Sequence, residues 1–186
     1  KEGVYVEEKI LSEMSIDIGE RLDVLVGDIY KISGSEFNIN STQQLAVILF
    51  DELKLSQIKK RSTAENILKE LTKEHDLPEL ILEYRKLNKL KNTYIDALPI
   101  SMNKETKRIH STFNQTIAAT GRLSSTSPNF QNIPIRTEEG REIRKSFTAQ
   151  QSGWKMLSAD YSQIELRVMA HLSEDTELCK AFNNNI

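Results

Sequence analysis

With 186 residues and a mass of 21.3 kDa, the chain can bury one ordinary core, or a helical subdomain plus a piece of another. Its 38% hydrophobic and 28% charged residues exclude a disordered polymer, no apolar run approaches the roughly 18 residues of a membrane span, and no basic start leads into an apolar signal region. The net charge of −2 hides an asymmetry: residues 1–80 carry 10 basic and 16 acidic groups, residues 81–186 carry 15 and 11, and Arg85 to Lys145 carries 12 against 5. A nucleic-acid surface, where one exists, belongs to that last stretch. The single cysteine, Cys179, excludes an internal disulfide and fits a reducing, cytoplasmic compartment. Starting at Lys1 without an initiator Met and stopping at Asn185-Ile186, the chain reads as a fragment.

Ile10, Met14, Ile18, Leu22, Leu25, Ile29 and Ile32 step by three or four, which predicts one helix of about seven turns from Val6 to Ile32, ended by Gly34. Its other face is acidic and reads as scaffold. Phe37 to Asn40 is extended. Ser41 with Gln44 forms a capping-box pattern ahead of Leu45 to Leu53, and Ser62 with Glu65 opens a second short helix through about Glu74. Between them Lys59-Lys60-Arg61 is a charge run, more readily a solvated face than a grip on DNA. Pro78 suits a first helical turn, and Leu80, Tyr84, Leu87 and Tyr94 carry a helix to Leu98, before Pro99. On it Arg85 and Lys89 lie one turn apart with Asn92 next along the row. That row is either a solvated basic face or a line of phosphate contacts, which would fix position without reading sequence.

From Arg108 the pattern alternates through Ile109, Ser111 and Phe113, then Ile117 and Ala119, predicting strands. An all-helical part therefore gives way to a sheet-containing part near Pro99 to Lys107. Thr120 to Arg136 is dense in small and amide side chains and allows two readings. It is a turn-rich loop that satisfies its own backbone, or it presents donors (Arg122, Gln131, Asn132) able to test the minor-groove acceptors common to all correct base pairs. Arg141, Arg144 and Lys145 are offset by Glu138, Glu139 and Glu142 and read as structural.

The short apolar run Met156 to Ala159, led in by Gly153, predicts a buried strand. Beyond it Ile164, Val168, Leu172 and Leu166, Met169 recur at helical spacing, so strand turns to amphipathic helix within about one turn of Asp160. So placed, Asp160 is either a helix cap or a ligand for Mg²⁺, which takes one or two carboxylates plus substrate phosphates. Arg167 is a helix-face ion pair or a duplex contact, and His171 is structural.

The run D-Y-S-Q-I-E-L-R-V-M-A-H-L-S-E-D from Asp160, preceded by T-G-R-L-S-S-T-S-P-N-F-Q-N-I-P-I-R from Thr120 and E-E-G-R-E-I-R-K-S-F from Glu138, resembles the palm sequence of the family A DNA polymerases. The match is long and ungapped from Thr120 to Ala170 and weaker from Gly3 onward. It implies an α+β fold: a mostly helical thumb subdomain over residues 1–100, then a partial palm with a small antiparallel sheet over 101–186. Fingers, the remaining palm and any exonuclease domain would lie outside the chain, and Lys59 to Arg61 would form a thumb tip shorter than usual.

The resemblance also implies a DNA-directed DNA polymerase of replication and repair, monomeric, cytoplasmic and nucleoid-associated in a bacterium. Its partners would be primer-template DNA and deoxynucleoside triphosphates, with two Mg²⁺ ions. Asp160 would bind both ions and the Tyr161 backbone carbonyl one. Glu165 would block a ribose 2′ hydroxyl, Gln163 and Ile164 would border the nascent base pair, and Arg136 would reach the triphosphate. Arg122 would contact the primer-terminal pair, Asn129, Gln131 and Asn132 would line the minor groove, and Arg85, Lys89 and Asn92 would follow the duplex backbone. Without the fingers helix and a second metal-binding aspartate, the chain alone is expected to bind primer-template weakly and not to polymerise. Two rivals remain: a non-catalytic DNA-binding clamp, which needs neither Asp160 nor Glu165, and a single-subunit RNA polymerase, which Glu165 would obstruct.

Overall fold

A computed structural model describes residues 2–183, and the chain divides into two compact units between Ser152 and Gly153. The spine of the first is α1 (Glu8–Ser33), which buries Leu11, Ile18, Leu22, Leu25, Ile29 and Ser33. The stripe thus begins and ends one residue later than Ile10 and Ile32, and Ile32 stays 37% exposed. Burying Ser33 is tolerable because its hydroxyl has the Tyr30 and Ser35 carbonyls at 3.2 and 2.8 Å. Gly34 ends the helix at φ 72°, its N–H bonded to the Tyr30 carbonyl.

Ser41 caps α2 (Thr42–Val47) as predicted, its hydroxyl accepting from the Gln44 N–H at 3.3 Å. Gln44 does not close the box on Ser41; its side-chain oxygen accepts from the Asn38 N–H at 2.7 Å, because Asn38 to Ser41 already form a turn. The helix runs on into a π-helical turn, Ile48–Glu52, followed by the exposed extended segment β2 (Ile58–Arg61). The box predicted at Ser62 does not form. Ala64 is the N-cap of α3 (Glu65–Leu71), and the Ser62 hydroxyl accepts from the Ala64 N–H at 3.3 Å, before the helix starts. Glu65 instead meets Lys69 at 2.6 Å on the exposed side.

Pro78 sits in the first turn of α4 (Leu77–Leu90), and the helical path continues through a π-helical turn, Lys91–Ile95, into α5 (Ala97–Ile100). Pro99 therefore lies inside α5 rather than after it, in the first turn, where a missing N–H leaves no helical bond unmade. α1 packs on α4, and Leu45, Leu49, Leu68 and Leu71 complete a core sealed from solvent.

The strand-containing part joins this core. β1 (Val4–Tyr5) pairs antiparallel with β3 (Arg108–Ile109), Val4 opposite Ile109, and Val6 bridges Phe147. α6 (Glu138–Lys145) contributes the fully buried Ile143, so Ile109, Ile133 and Ile143 share one cluster with the helices. A second antiparallel pair, β4 (Thr112–Asn114) with β5 (Ser124–Thr126), sets Phe113 opposite Ser125. The strand predicted through Ile117 and Ala119 is absent: this stretch bends and turns, and Ile117 is 71% exposed, so its alternation has no face to bury. The fold is α+β, helices with two small antiparallel sheets.

The second unit holds α7 (Ile164–Ser173) and α8 (Thr176–Asn183), the latter opened by the Asp175 carboxylate accepting from the Leu178 N–H at 2.7 Å. The buried strand predicted over Met156 to Ala159 is not formed. The stretch is irregular, with Met156 59% and Leu157 91% exposed. A strand exists through ladder bonds to a neighbour, and among the described residues none pairs with this run.

Two glycines give opposite expectations for stability. A Cβ on Gly140 would stand 2.6 Å from the Pro134 carbonyl oxygen, whereas one on Gly27, inside α1, would meet nothing within 4 Å. Gly140→Ala should lower unfolding stability by about 1–3 kcal/mol, and Gly27→Ala should raise it by about 0.5–1 kcal/mol. Urea unfolding of the two variants checks both signs.

Candidate nucleic-acid interface and metal site

Because Ile81, Tyr84, Leu87 and Leu90 occupy the buried stripe of α4, the predicted row falls toward its outer side. Lys89 and Asn92 are exposed, and Arg85 is half-buried. The Arg85 guanidinium donates to the Thr63 carbonyl at 2.6 Å and reaches the Thr63 hydroxyl at 3.4 Å, and burial pushes its pKa down. Asn92 donates to the Asn88 side-chain oxygen at 2.9 Å. The basic run ahead of α3 is partly neutralised: Arg61 makes a two-armed contact to Asp51, both arms at 2.5 Å, and that hydrogen bond holds the Asp51 carboxyl below its usual range. Lys59 and Lys60 remain as its exposed cations.

Thr120 to Arg136 largely satisfies its own backbone. The Gln131 carboxamide spans the loop, accepting from the Ser125 N–H at 3.1 Å and donating to the Leu123 carbonyl at 2.7 Å. Asn129 accepts from the Gln131 N–H at 2.9 Å, and the buried Ser125 hydroxyl accepts from the Phe130 N–H at 3.2 Å. Such bonds shape a rim whose remaining polar side chains, Arg122, Asn132 and Arg136 among them, stay exposed. The loop is pinned to the helices by Tyr94, whose hydroxyl donates to the Asn132 carbonyl; burial raises the Tyr94 pKa, keeping it a donor at neutral pH. Read as a core position of its helix, Tyr94 gave no sequence signal for that bond. Arg144 donates to the Pro134 and Ile133 carbonyls at 3.2 and 3.3 Å, and Arg141 to that of Arg136 at 3.3 Å, the structural roles expected of them.

α6, which follows Arg136, is clamped by Glu139. This carboxylate accepts from Lys86 of α4 at 3.0 Å and lies 3.8 Å from Arg21 of α1. Burial pushes its pKa up, but the Lys86 hydrogen bond, its own backbone N–H and the charges of Lys86 and Arg21 outweigh that and leave it lowered.

In the second unit Asp160 and Tyr161 are exposed on the irregular stretch before α7. The helix cap is Gln163, at φ 50°, with no side-chain capping bond, so Asp160 does not cap α7. Glu165 lies in the first helical turn, and Ile164 beside it is 46% exposed. Of the two roles expected of Arg167, the ion pair is not formed among the described residues: its guanidinium stacks 4.8 Å from the Phe182 ring centroid and donates to the Ser162 carbonyl at 2.9 Å. His171 is exposed. Among the described residues no three His, Cys, Asp or Glu gather to hold a metal. The Asp160 carboxylate and Tyr161 carbonyl are hard oxygen donors of the kind Mg²⁺ accepts, and a Mg²⁺ site of one or two carboxylates completed by water and phosphate is within their means.

The family model for DNA polymerase family A matches residues 8–186. The chain belongs to that family. Among family A relatives it is 48% identical to DNA polymerase I of Bacillus caldotenax over 99% of this chain and 22% of the relative, and 48% identical to DNA polymerase I of Pseudomonas aeruginosa over 100% and 21%. The POL domain of Pol1 from M. smegmatis, solved in complex with DNA primer-template and dNTP, shares 41% identity and a TM-score of 0.87, covering 98% of this chain and 33% of that one. This family A chain thus spans about a fifth of the length of its curated relatives.

The Glu139 clamp predicts a pH dependence. Its folded pKa is depressed, so its contribution to stability is present above the unfolded value of about 4.3 and is lost as pH falls through the folded pKa. Glu139→Gln should therefore be less stable than the parent at neutral pH, the two converging as pH drops below about 4. Unfolding curves measured from neutral to acid pH read the difference directly.

Proposed function

We propose that this chain is the thumb (residues 1–100) and first part of the palm (101–186) of a DNA-directed DNA polymerase, extending a primer on a template with deoxynucleoside triphosphates. The primer 3′ hydroxyl attacks the α-phosphate and pyrophosphate leaves. Asp160 and the Tyr161 carbonyl would hold Mg²⁺, which would supply positive charge to offset that developing on the phosphoryl oxygens. Arg136 positions the triphosphate, while Gln163 and Ile164 border the nascent pair. Glu165 closes the space a ribose 2′ hydroxyl would need. Arg122, Asn129 and Asn132 meet minor-groove acceptors, and Gln131, its carboxamide largely spent on the loop, keeps one N–H for that groove. Arg85, Lys89 and Asn92 follow the backbone of the duplex. The protein works as a monomer in the bacterial cytoplasm, at the nucleoid; among the described residues no helix is long and apolar enough to cross a membrane.

What supports this reading most, beyond family membership, is that Asp160 stands exposed three residues before the true cap of α7. The ordinary structural role for an aspartate ahead of a helix is thereby vacated, which a plain DNA clamp would leave unexplained.

In the complete enzyme Asp160→Ala should cut nucleotide addition by about 10³-fold or more, and Glu165→Ala should raise ribonucleotide incorporation relative to deoxynucleotide. Unchanged ribonucleotide use would remove Glu165 from the sugar site. The purified 186-residue chain should bind primer-template without extending it. Mg²⁺-dependent extension by that chain, abolished by Asp160→Ala, would show that these residues suffice for catalysis.

A further inference from the structure

Beside the row of Arg85 and Lys89 runs a second one, Tyr84, Asn88 and Asn92, at successive i, i+4 positions of the same helical path. Its side chains are linked. Asn92 Nδ2 donates to Asn88 Oδ1 at 2.9 Å, Asn88 Nδ2 to Asn40 Oδ1 at 3.3 Å, and Asn40 Nδ2 to the Tyr84 hydroxyl at 3.2 Å. The root of this ladder is fixed, because Tyr84 is only 9% exposed. Its middle is fixed too: the Asn40 N–H bonds Asn38 Oδ1 at 3.0 Å, and the Asn38 N–H bonds Gln44 at 2.7 Å.

Each of the three carboxamides donates one N–H within the ladder and retains a second. A lone surface asparagine samples several rotamers, whereas amides joined head to tail across two elements, ending on a buried phenol, are held in one arrangement. The free end carries donors one helical turn from Lys89, whose charge also acts on Glu65, and the ladder itself contains no carboxylate. Such an edge suits a ligand rich in acceptors and negative charge.

We propose that Asn40, Asn88 and Tyr84 are positioning residues for duplex DNA. Through the ladder they hold the spare N–H groups of Asn88 and Asn92 against phosphate oxygens of one strand, next to Lys89. This rests on reading the outer side of α4 as duplex-facing, and goes beyond it by giving work to Asn40 and Tyr84, which touch no phosphate, and to Asn88, which both carries the ladder and donates. Tyr84 lies too deep to meet DNA. Neutral amides displace no counterions, so the ladder adds affinity without steepening the salt dependence, whereas Lys89 contributes to both.

The test is equilibrium binding of a fluorescent primer-template duplex to the 186-residue chain across a range of salt, with circular dichroism and urea unfolding as controls for folding. Lys89→Ala should weaken binding and reduce the slope of log K against log salt by about 1. Asn40→Ala and Tyr84→Phe should each weaken it about 3- to 10-fold with the slope unchanged. Asn40→Ala, at an exposed position, carries the test if Tyr84→Phe does not fold. Weakening by Lys89→Ala with wild-type binding in both ladder variants would overturn the proposal and leave the duplex-facing reading intact. Wild-type binding by Lys89→Ala would sink that reading, and the ladder's role with it.

Discussion

The packing of α1 on α4 is the constraint from which the first unit's surface follows. Burying Leu11, Ile18, Leu22, Leu25 and Ile29 against Ile81, Tyr84, Leu87 and Leu90 fixes the rotation of α4 about its own axis. Once that rotation is set, the residues one step around the helix have no freedom to be anything but outward. Lys89 and Asn92 are exposed for that reason, and Arg85, at the edge of the stripe, is half-buried for the same one. The continuation of the path past Leu90 then delivers Tyr94 under the polar loop, where its hydroxyl meets the Asn132 carbonyl. One apolar interface thus orients both a basic row and a rim of amides.

Much of the positive and polar surface is committed internally before any ligand arrives. Arg85 spends its guanidinium on Thr63, Arg61 on Asp51, Arg144 on two carbonyls and Gln131 on the loop backbone. Each has donors left over, so a surface of this kind presents charge from fixed positions rather than from freely moving side chains. The entropy of ordering those groups has been lost on folding and is not lost again on binding. That favours position-holding contacts to a uniform partner, which the phosphate backbone is, over adaptive ones.

The long periodic elements were legible because periodicity reports burial, and burial decides them. α1, its Gly34 terminus, the Ser41 cap and the path from Pro78 onward all follow from spacing and from residues with one local use. What failed was whatever depended on partners elsewhere in the chain. Ser62 and Glu65 have capping-box spacing, but the N-cap fell two residues after Ser62, at Ala64, and Glu65 found Lys69. Ile117 and Ala119 alternate with polar residues, yet no sheet receives them. The helix-face ion pair that Arg167 allowed is replaced by the Phe182 ring and the Ser162 carbonyl, partners that its helical spacing does not mark. The family signature made the Asp160 motif conspicuous, whereas Asn40, Asn88 and Tyr84 are ordinary residues at ordinary positions, and only the fold links them.

The Met156 to Ala159 run bears on the metal site proposed at Asp160. A carboxylate that must hold a metal against a phosphate has to be fixed to within about half an ångström, and backbone hydrogen bonding is the usual means of fixing it. Here the residues leading into Asp160 are exposed, Met156 at 59% and Leu157 at 91%. Exposed apolar side chains at Leu157, Met169 and Leu172 stabilise nothing until something covers them. Their burial would be coupled to ordering the backbone at Asp160, since the same segment carries both. If Asp160 holds a divalent ion as proposed, whatever covers Met156 and Leu157 would also raise the fraction of chains with the carboxylate in place.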